Sequence, residues 1–276
     1  MITLIDGERT GSISVADGAV LRGDGCFEAI QVYGTVPFAL DDHLDRLARS
    51  AALLELDVPP RALLRDWCRL LAAEGGDGVI RIILTRGSVI PDSDVPSRCI
   101  VLHHASEPVP TPLRVLPVPA PWHSAGRDWE LAGAKTISYA PNQAATRRAR
   151  RAGFHEALLH ADDGTILEGP TFAIAWVVDE TVETPTLDLK ILDSITRRFA
   201  LEDAARLGIT VREGRFPLSR LAAASEVMAW STTKEVAAVG AVGDLVFEPG
   251  PVTAALADAY RERITAEVRA GGGSGA

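Results

Sequence analysis

A run of prolines divides this chain near its middle. In the segment ASEPVPTPLRVLPVPAP, prolines stand at positions 108, 110, 112, 117, 119 and 121. Proline has no backbone N–H and fixes φ, so such a segment is a poor interior for a helix or a central strand. We therefore interpret residues 108–121 as a connector between an N-terminal domain (1–107) and a C-terminal domain (122–270). The glycine-rich residues 271–276 are predicted to be a flexible tail.

The first half alternates between strand-like and helix-like patterns. The stretch ISVADGAVLRGDGCFEAIQVYGTVPFAL is typical of strands broken by glycine turns, and apolar strands are predicted again at VIRIILTRG and RCIVLHHA. Helices are predicted at DDHLDRLARSAALLEL, with Asp41 or Asp42 as N-cap, and around RALLRDWCRLLAAEG. The first domain is therefore predicted to have an α+β fold.

The second half also mixes both kinds of element. EALLHADDGTILEG predicts a hairpin with a turn at Asp-Asp-Gly, while TFAIAWVV and VMAWSTTKEVAAVGAVGD predict further strands. DSITRRFALEDAARLGI predicts a helix that begins after Asp193 or Ser194 and ends at Gly208. A short helix at SRLAAASE and a closing helix at PVTAALADAYRERITAEVRA complete the prediction.

Charge and composition exclude several classes of function. The formal net charge is −9, which disfavours nucleic acids and anionic membranes, because both attract a net positive surface. No stretch approaches the roughly 20 apolar residues of a membrane span, and the start has no signal-peptide pattern, so a cytoplasmic protein is predicted. Three cysteines without close spacing and histidines without an H-E-x-x-H pattern predict neither disulfides nor a metal site.

Only three lysines are present, Lys135, Lys190 and Lys234. A lysine that attacks a carbonyl must be neutral, and apolar surroundings favour the neutral form. Lys135 follows LAGA and precedes TISY, so it is the lysine best placed for an enclosed setting, with the phenol of Tyr139 four residues on. The alternative is a surface lysine at the start of a helix.

Three other segments have the residue types that pyridoxal phosphate requires. This cofactor needs a carboxylate opposite its ring nitrogen and a helix N-terminus with hydroxyls around its phosphate. Glu168 ends a strand before a Gly-Pro turn, DSIT offers the amides of a helix start with Thr196, and WSTTK offers Thr232 at a strand end. Taken singly, each is more often a structural feature, namely a turn acid, a helix cap or a solvated turn, so the argument depends on their occurring together and in this order.

Seven motifs occur in a fixed order along the chain: RGDGCFEAI, DDHLDRL, IILTRG, KTISYAPN, ILEGPT, TPTLDLKILDSITRR and EVMAWSTTKEV. Together, over residues 15 to 260, they resemble the class IV aminotransferases, which are fold-type IV pyridoxal phosphate enzymes. That family includes branched-chain aminotransferases, D-amino-acid transaminases, (R)-amine transaminases and 4-amino-4-deoxychorismate lyases. The resemblance implies two α/β domains with the active site at their interface, and at least a homodimer.

The resemblance also implies roles for single residues. Lys135 would bind the cofactor aldehyde covalently and shuttle the proton of the reaction, Tyr139 would hydrogen-bond the ring oxygen, and Glu168 would face the ring nitrogen. The cofactor phosphate would be bound by four residues: Arg46, Ile195, Thr196 and Thr232.

Recognition of the substrate is less well defined by these motifs. D-alanine transaminases follow their TRG with an Arg-x-His pair that binds a carboxylate, whereas TRGSVIPDSDVPSRC has none. Candidate substrate contacts are therefore taken from several segments: Phe27, Arg22, Arg86, Arg98, Thr233 and Lys234.

Two activities are consistent with the resemblance. The first is a transaminase that moves an amino group between a donor, a D-amino acid or an (R)-amine, and a 2-oxo acid by a ping-pong mechanism. The alternative is a 4-amino-4-deoxychorismate lyase, which releases pyruvate and 4-aminobenzoate. GDGCF and KTISYAPN look like the lyases, and FEAI looks like the transaminases. The short chain, without the longer glycine-rich loop of the branched-chain enzymes, favours the transaminase of D-amino acids or (R)-amines.

Overall fold

The computed structural model describes residues 1–9, 11–91 and 93–272, which form two compact units with one sheet each. Among the described residues, unit 1 comprises those within 1–107, 134–139 and 264–272, and unit 2 comprises 108–133 and 140–263. The predicted boundaries of the N-terminal domain therefore omitted two segments that belong to unit 1, namely the short segment around Lys135 and the end of the last helix. Both segments join unit 1 through contacts distant in sequence, which a local pattern does not reveal.

Unit 1 is built on a five-stranded antiparallel sheet. Its strands, in spatial order, are β1 (Ile2–Ile5), β5 (Cys99–His104), β4 (Gly78–Thr85), β2 (Gly25–Tyr33) and β3 (Val36–Pro37). Its helices are α1 (Gly18–Arg22), α2 (Leu40–Leu53) and α3 (Arg61–Gly75). Because side chains alternate along a strand, β2 buries Cys26, Glu28 and Ile30 on one face. Helix α2 packs on β2 and buries Leu44 and Leu47.

Unit 2 is built on a mixed sheet of eight strands. Their order is β10 (Val211–Gly214), β9 (Thr181–Pro185), β8 (Ala173–Val178), β11 (Glu226–Ser231), β12 (Glu235–Val242), β6 (Leu113–Pro119) and β7 (Glu156–His160), with β13 (Leu245–Val246) paired to β12. The helices are α4 (Ala140–Arg151), α5 (Ile195–Arg206) and α6 (Pro251–Gly272), of which the part from Ile264 onward belongs to unit 1. Strands β8 and β11 are buried along their whole length, and their apolar side chains form much of the core.

The connector predicted at 108–121 is wrong for residues 113–119, because these form β6. This strand pairs in parallel with both β7 and β12, although Pro117 and Pro119 lie within it. Prolines two residues apart remove N–H groups from the same side of a strand, so the other side keeps its donors. The number of prolines therefore led to a wrong prediction for this segment, because its pairing partners β7 and β12 are distant in sequence and were not considered.

Helix and turn signals predicted several boundaries. Ser194 is the N-cap of α5 and accepts the amide of Arg197, and Gly208 follows the helix with φ of 72°, as predicted. The hairpin at ADDG is confirmed, since Leu159 donates to Glu168 O at 2.8 Å.

Other boundaries differ from prediction. The cap of α2 is Ala39, so Asp41 and Asp42 lie inside the first turn, where carboxylates interact favourably with the helix dipole. The predicted short helix is a 3-10 helix, Leu218–Ala223. In the predicted tail, residues 271 and 272 belong to α6, and 273–276 lie outside the described residues.

Candidate active site

Lys135 is anchored by its own backbone at the start of β2. Phe27 N–H donates to the Lys135 carbonyl at 3.0 Å, and Lys135 N–H donates to Ser50 Oγ at 3.0 Å. Two residues on, Ile137 N–H donates to Gly25 O at 3.0 Å. Because both polar backbone groups of Lys135 are bonded, displacing the segment would break buried hydrogen bonds. The backbone from which the Lys135 side chain extends is therefore held in place.

The amine of Lys135 lies between two aromatic rings. Its Nζ is 3.3 Å from Tyr139 OH and 4.4 Å from the centre of the Phe27 ring. The two rings meet edge to face with their centroids 5.2 Å apart. Aromatic faces remove water from an ammonium group while attracting its charge. The structure thus brings together three residues that the sequence had singled out, in a half-buried setting.

Arg81 also faces the Phe27 ring, although the sequence gave no reason to select it. It stands opposite Ala29 in the pairing of β4 with β2, and its guanidinium carbon is 5.8 Å from the ring centre. Its Nε donates to His104 Nε2 at 3.3 Å. The available signal was one charge within the apolar run VIRIILT. We call Phe27, Ala29, Arg81 and Ile83, which share one side of the paired strands, the Phe27 face.

Arg46 is part of a buried charged cluster on the other side of β2. Its Nε and Nη2 each donate to one oxygen of Glu28 at 2.7 Å, and His43 Nδ1 lies 2.8 Å from Glu28 Oε2. His43, Arg46 and Ser50 follow one side of α2 at helical spacing, and Arg46 is only 5% exposed. The predicted phosphate ligand is therefore held by a bidentate ion pair.

The cluster has definite charge states at neutral pH. Burial acts to raise the pKa of Glu28, but the charge of Arg46 and hydrogen bonds from Arg46 and His43 outweigh it and hold that pKa well below its ordinary value. Burial lowers the pKa of His43, against the opposing effect of Glu28. Glu28 is thus ionised and His43 is neutral, with Nδ1–H donating to the carboxylate. A glutamate at a core position of β2 was the overlooked signal.

In unit 2, Glu168 is oriented by groups from two other segments. Leu192 N–H donates to its carboxylate oxygens at 3.3 and 3.2 Å, and His123 Nε2 lies 3.6 Å from Oε1. His123 Nδ1 accepts the Ala125 amide at 3.0 Å, so a neutral His123 carries its proton on Nε2, toward Glu168. Sequence reasoning selected Glu168 and missed His123.

The start of α5 has the geometry of an anion site. Ser194 caps the amide of Arg197, while the amides of Ile195 and Thr196 lie in the first turn, where N–H groups have no partner within the helix. The helix dipole adds partial positive charge there. Thr196 Oγ1 lies 3.3 Å from Tyr260 OH and is buried, so its backbone rather than its hydroxyl is the simpler contact for an anion.

The turn between β11 and β12 carries the remaining predicted contacts of unit 2. Thr232 is half-buried and Thr233 is exposed, and Lys234 N–H donates to Ser231 Oγ at 3.2 Å. Lys234 was predicted to meet a substrate carboxylate. Its Nζ instead lies 3.0 Å from Glu156 Oε1 and donates to Thr171 Oγ1 at 2.7 Å. The Thr171 hydroxyl donates in turn to the carboxylate of Glu156.

The arginines predicted as substrate contacts have different surroundings. Arg86 donates to the carbonyls of Leu54 and Glu55 and to Asp24, which ties the end of α2 to the start of β2. Arg98 pairs with Asp6 at 2.7 Å, beside the end of β1. These contacts give both guanidinium groups structural roles. Arg22 ends α1 and is exposed.

The residues present fit pyridoxal phosphate, each within its own unit. Unit 1 offers an amine beside a phenol and a fixed guanidinium, in Lys135, Tyr139 and Arg46. Unit 2 offers the oriented carboxylate of Glu168 and the amides at the start of α5. Within the described residues, no group of three or more His, Cys, Asp or Glu side chains is arranged to hold a metal ion. No helix of the described chain has the length and apolar character needed to cross a membrane.

Comparison with known proteins gives concordant matches. The family model described as Amino-transferase class IV matches residues 25–242. The chain is 28% identical over 266 residues to a D-alanine aminotransferase from Listeria monocytogenes, covering 92% of this chain and 91% of the relative. It is 26% identical over 279 residues to an aminodeoxychorismate lyase from Bacillus subtilis, covering 96% and 94%. A solved fold IV-transaminase from Curtobacterium pusillum aligns with a TM-score of 0.83 and 30% identity, over 92% of this chain and 91% of that one.

Proposed function

Because this chain belongs to the class IV aminotransferase family, whose members depend on pyridoxal phosphate, we propose that it is a transaminase with a ping-pong mechanism. The amino donor is a D-amino acid or an (R)-amine, and the acceptor is a 2-oxo acid. The observation that carries the proposal is the Lys135 amine, held by its backbone against Phe27 and Tyr139, with Arg81 on the same ring. Similarity to a D-alanine aminotransferase supports the handedness of the donor.

The chain's residues divide the work between binding and proton transfer. When bound, pyridoxal phosphate supplies the electron sink that stabilises negative charge at the substrate carbon. Lys135 Nζ would hold the cofactor until the substrate amine displaces it, and the freed amine would then take the proton from the substrate Cα, a task for an amine at a fixed position. Tyr139 would orient the ring oxygen and Glu168 would face the ring nitrogen. The phosphate would be bound by Arg46, Ile195, Thr196 and Thr232.

Arg81 is the cation that we assign to the substrate carboxylate. It replaces the earlier candidates Arg86, Arg98 and Lys234, whose charged groups are engaged by carbonyls or carboxylates. Arg81 shares the Phe27 ring with Lys135, and its guanidinium is contacted by a histidine. A carboxylate contact is useful to an amino acid and a 2-oxo acid, but not to a simple amine. Among the donors, this favours D-amino acids over (R)-amines.

The Phe27 face also bears on the choice between transaminase and lyase. A lyase has to protonate the departing pyruvate fragment, a step for which a hydroxyl on β2 would be suited. In this chain the two residues that β2 contributes to the Phe27 face, Phe27 and Ala29, have an aromatic ring and a methyl group and no hydroxyl. Similarity to an aminodeoxychorismate lyase over nearly the whole chain makes that lyase the second candidate.

The test is a comparison of substrates with one matched variant. We expect D-alanine with 2-oxoglutarate to yield pyruvate, L-alanine to yield little, and 4-amino-4-deoxychorismate to yield little 4-aminobenzoate. Arg81→Gln should raise KM for D-alanine about tenfold, the loss expected for a hydrogen bond to a charged group, and leave (R)-1-phenylethylamine unaffected. Rapid release of 4-aminobenzoate without turnover of any donor would contradict the transaminase assignment in favour of the lyase.

We also propose a homodimer acting in the cytoplasm. Leu63 and Leu70 of α3 are exposed seven residues apart, and Val20 and Leu21 of α1 are half exposed, the kind of apolar surface that association covers. Light scattering at micromolar concentration should give twice the mass of the chain, and a monomer would contradict this part. The cytoplasmic location rests on the sequence alone.

A further inference from the structure

Three polar side chains of unit 2 form a closed triangle of contacts. Lys234 Nζ lies 3.0 Å from Glu156 Oε1 and donates to Thr171 Oγ1 at 2.7 Å. The Thr171 hydroxyl donates in turn to Glu156 Oε2 at 2.9 Å. We call these three residues the Lys234 triangle. Each charge has an opposite charge and a hydrogen-bonding hydroxyl as neighbours, so the set is complete in itself.

Much of the triangle is removed from water. The side chain of Lys234 is 7% exposed and that of Glu156 is 14% exposed, while Thr171 closes the triangle at the surface. Lys234 Nζ also lies 5.7 Å from the centre of the Phe172 ring. Shielded ion pairs are screened weakly by salt and keep a defined geometry, unlike pairs on an open surface. The triangle is therefore a contact of defined geometry between the chain segments that contain Lys234, Glu156 and Thr171.

Those segments are the two turns in which cofactor contacts were predicted. Thr171 stands three residues after Glu168, and Lys234 stands two residues after Thr232. The first turn is closed by Gly169 N–H, which donates to Phe172 O at 2.8 Å, and it is closely packed, since a Cβ at Gly169 would overlap the Phe172 ring. The second turn is closed by a hydrogen bond that Lys234 N–H donates to Ser231 Oγ.

The pairing of Ala173 with Trp230 brings the Glu168 turn and the Thr232 turn side by side. We propose that Lys234 is a positioning residue that fixes the two turns to each other beyond the end of that strand pairing. The inference rests on the proposed function, in which Glu168 serves the ring nitrogen of pyridoxal phosphate and Thr232 serves its phosphate. Lys234 touches neither end in this assignment. It acts through Thr171 and Glu156, so that the contacts for the two ends of one ligand are prearranged.

If Lys234 positions the two turns, its loss should affect ligands differently than if Lys234 contacted a ligand directly. A ligand that reaches both turns binds better when their separation is fixed, since ordering them at binding costs free energy. A ligand that reaches only one turn gains nothing from the separation. Losing the triangle should therefore weaken pyridoxal phosphate and leave inorganic phosphate almost unchanged.

The experiment titrates the apoenzyme with both ligands. Binding of pyridoxal phosphate is followed by protein fluorescence, and binding of inorganic phosphate by the rise in Tm that it produces. Lys234→Met should raise the Kd for pyridoxal phosphate about tenfold, the scale of one hydrogen bond to a charged group, and change the phosphate response little. Thr171→Val, which keeps the shape and removes the hydroxyl, should have a smaller effect in the same direction.

Two controls separate positioning from general damage. Lys190→Met removes a lysine from a pair of similar length, 2.9 Å to Asp128, at an exposed site, and should leave both ligands unaffected. Lys234→Arg should restore most of the affinity, because it keeps the charge and the donors. If Lys234→Met does not fold, Thr171→Val and Lys234→Arg carry the test.

The proposal is overturned if Lys234→Met leaves pyridoxal phosphate binding unchanged. It is also overturned if phosphate binding weakens to the same degree, because that would make Lys234 a direct phosphate ligand. Wild-type protein that takes up no pyridoxal phosphate would instead refute the proposed function. The three results are distinct.

Discussion

The two units prepare their predicted site residues by different physical means. In unit 1 the preparation is done by side chains and charge: Glu28 fixes Arg46, and aromatic rings surround the Lys135 amine. In unit 2 the backbone does a larger part of it: amides at the start of α5, and the Leu192 amide that orients Glu168 together with His123. A contact made by a side chain is lost when that one residue is substituted, whereas the backbone amides at a helix start remain after most substitutions. Single changes should therefore cost more in unit 1 than in unit 2.

The largest effect is expected at Lys135. Lys135→Ala removes the amine that holds the cofactor and moves the proton, so the transaminase rate should fall by at least about a thousandfold. The rate is measured as pyruvate formed from D-alanine. Lys190→Ala, at an exposed ion pair, is the matched control and should stay within about twofold of wild type. A Lys135→Ala enzyme with a tenth of the wild-type rate would contradict the claim that single side chains of unit 1 have the largest effects.

Next in size is the buried cluster. Glu28→Gln leaves the buried charge of Arg46 without its counter-charge, and should lower the free energy of unfolding by about 3–5 kcal/mol. Glu28→Gln combined with Arg46→Met removes both charges and should recover part of that loss. Urea unfolding of the apoenzyme measures both variants. A loss under about 1 kcal/mol for the single variant would show that charge does not organise unit 1.

The start of α5 should respond more mildly. Ser194→Ala removes the side chain that caps the Arg197 amide, and should cost about 1 kcal/mol of stability. Ser194→Gly should cost only a few tenths of a kcal/mol, because glycine lets water reach the same amide. The pair is compared by urea unfolding and by the Tm response to inorganic phosphate. Equal or larger losses than at Glu28 would reverse the comparison.

The smallest effect concerns pH. The folded pKa of His43 is lowered, so the unfolded chain binds a proton at a higher pH than the folded chain does. Stability should therefore fall as the pH drops below about 6.5, the ordinary histidine pKa, toward the lowered folded value. The stability due to Glu28, whose folded pKa is also lowered, stays constant above about pH 4.5 and is lost below it.

His43→Gln isolates that histidine. The amide keeps a donor for Glu28 and cannot take up a proton, so unfolding free energies at about pH 7.5 and pH 5.5 should differ less in the variant than in wild type. An unchanged difference would mean that other groups cause the slope.

Signals within short segments predicted much of this molecule. Ser194 and Gly208 bracket α5 as capping rules require, and LAGAKTISY identified the lysine that the structure sets beside Tyr139 and Phe27. The mixture of helices and strands followed from the order of elements and the fold class from the family resemblance, and two sheets with flanking helices confirm both. These features depend on residues within a few positions of one another.

What the sequence did not predict depends on distant pairing. Glu28 meets His43 only because α2 lies on β2, and Arg81 meets the Phe27 ring only through the pairing of β2 with β4. Lys234 looked like a substrate contact because its partner Glu156 stands 78 positions away. The same reason explains β6, whose strand neighbours outweigh its prolines. Residue type alone does not show which carboxylate or ring a cation contacts in the folded chain.

The central claim is that Lys135 holds the cofactor, and a chain with three lysines allows a direct test. Pyridoxal phosphate is added to the purified protein, borohydride makes its bond to lysine permanent, and proteolytic peptides are mapped by mass spectrometry. We predict the added mass on the peptide that contains Lys135. The modification on the peptide of Lys190 or Lys234, or on none, would contradict the account.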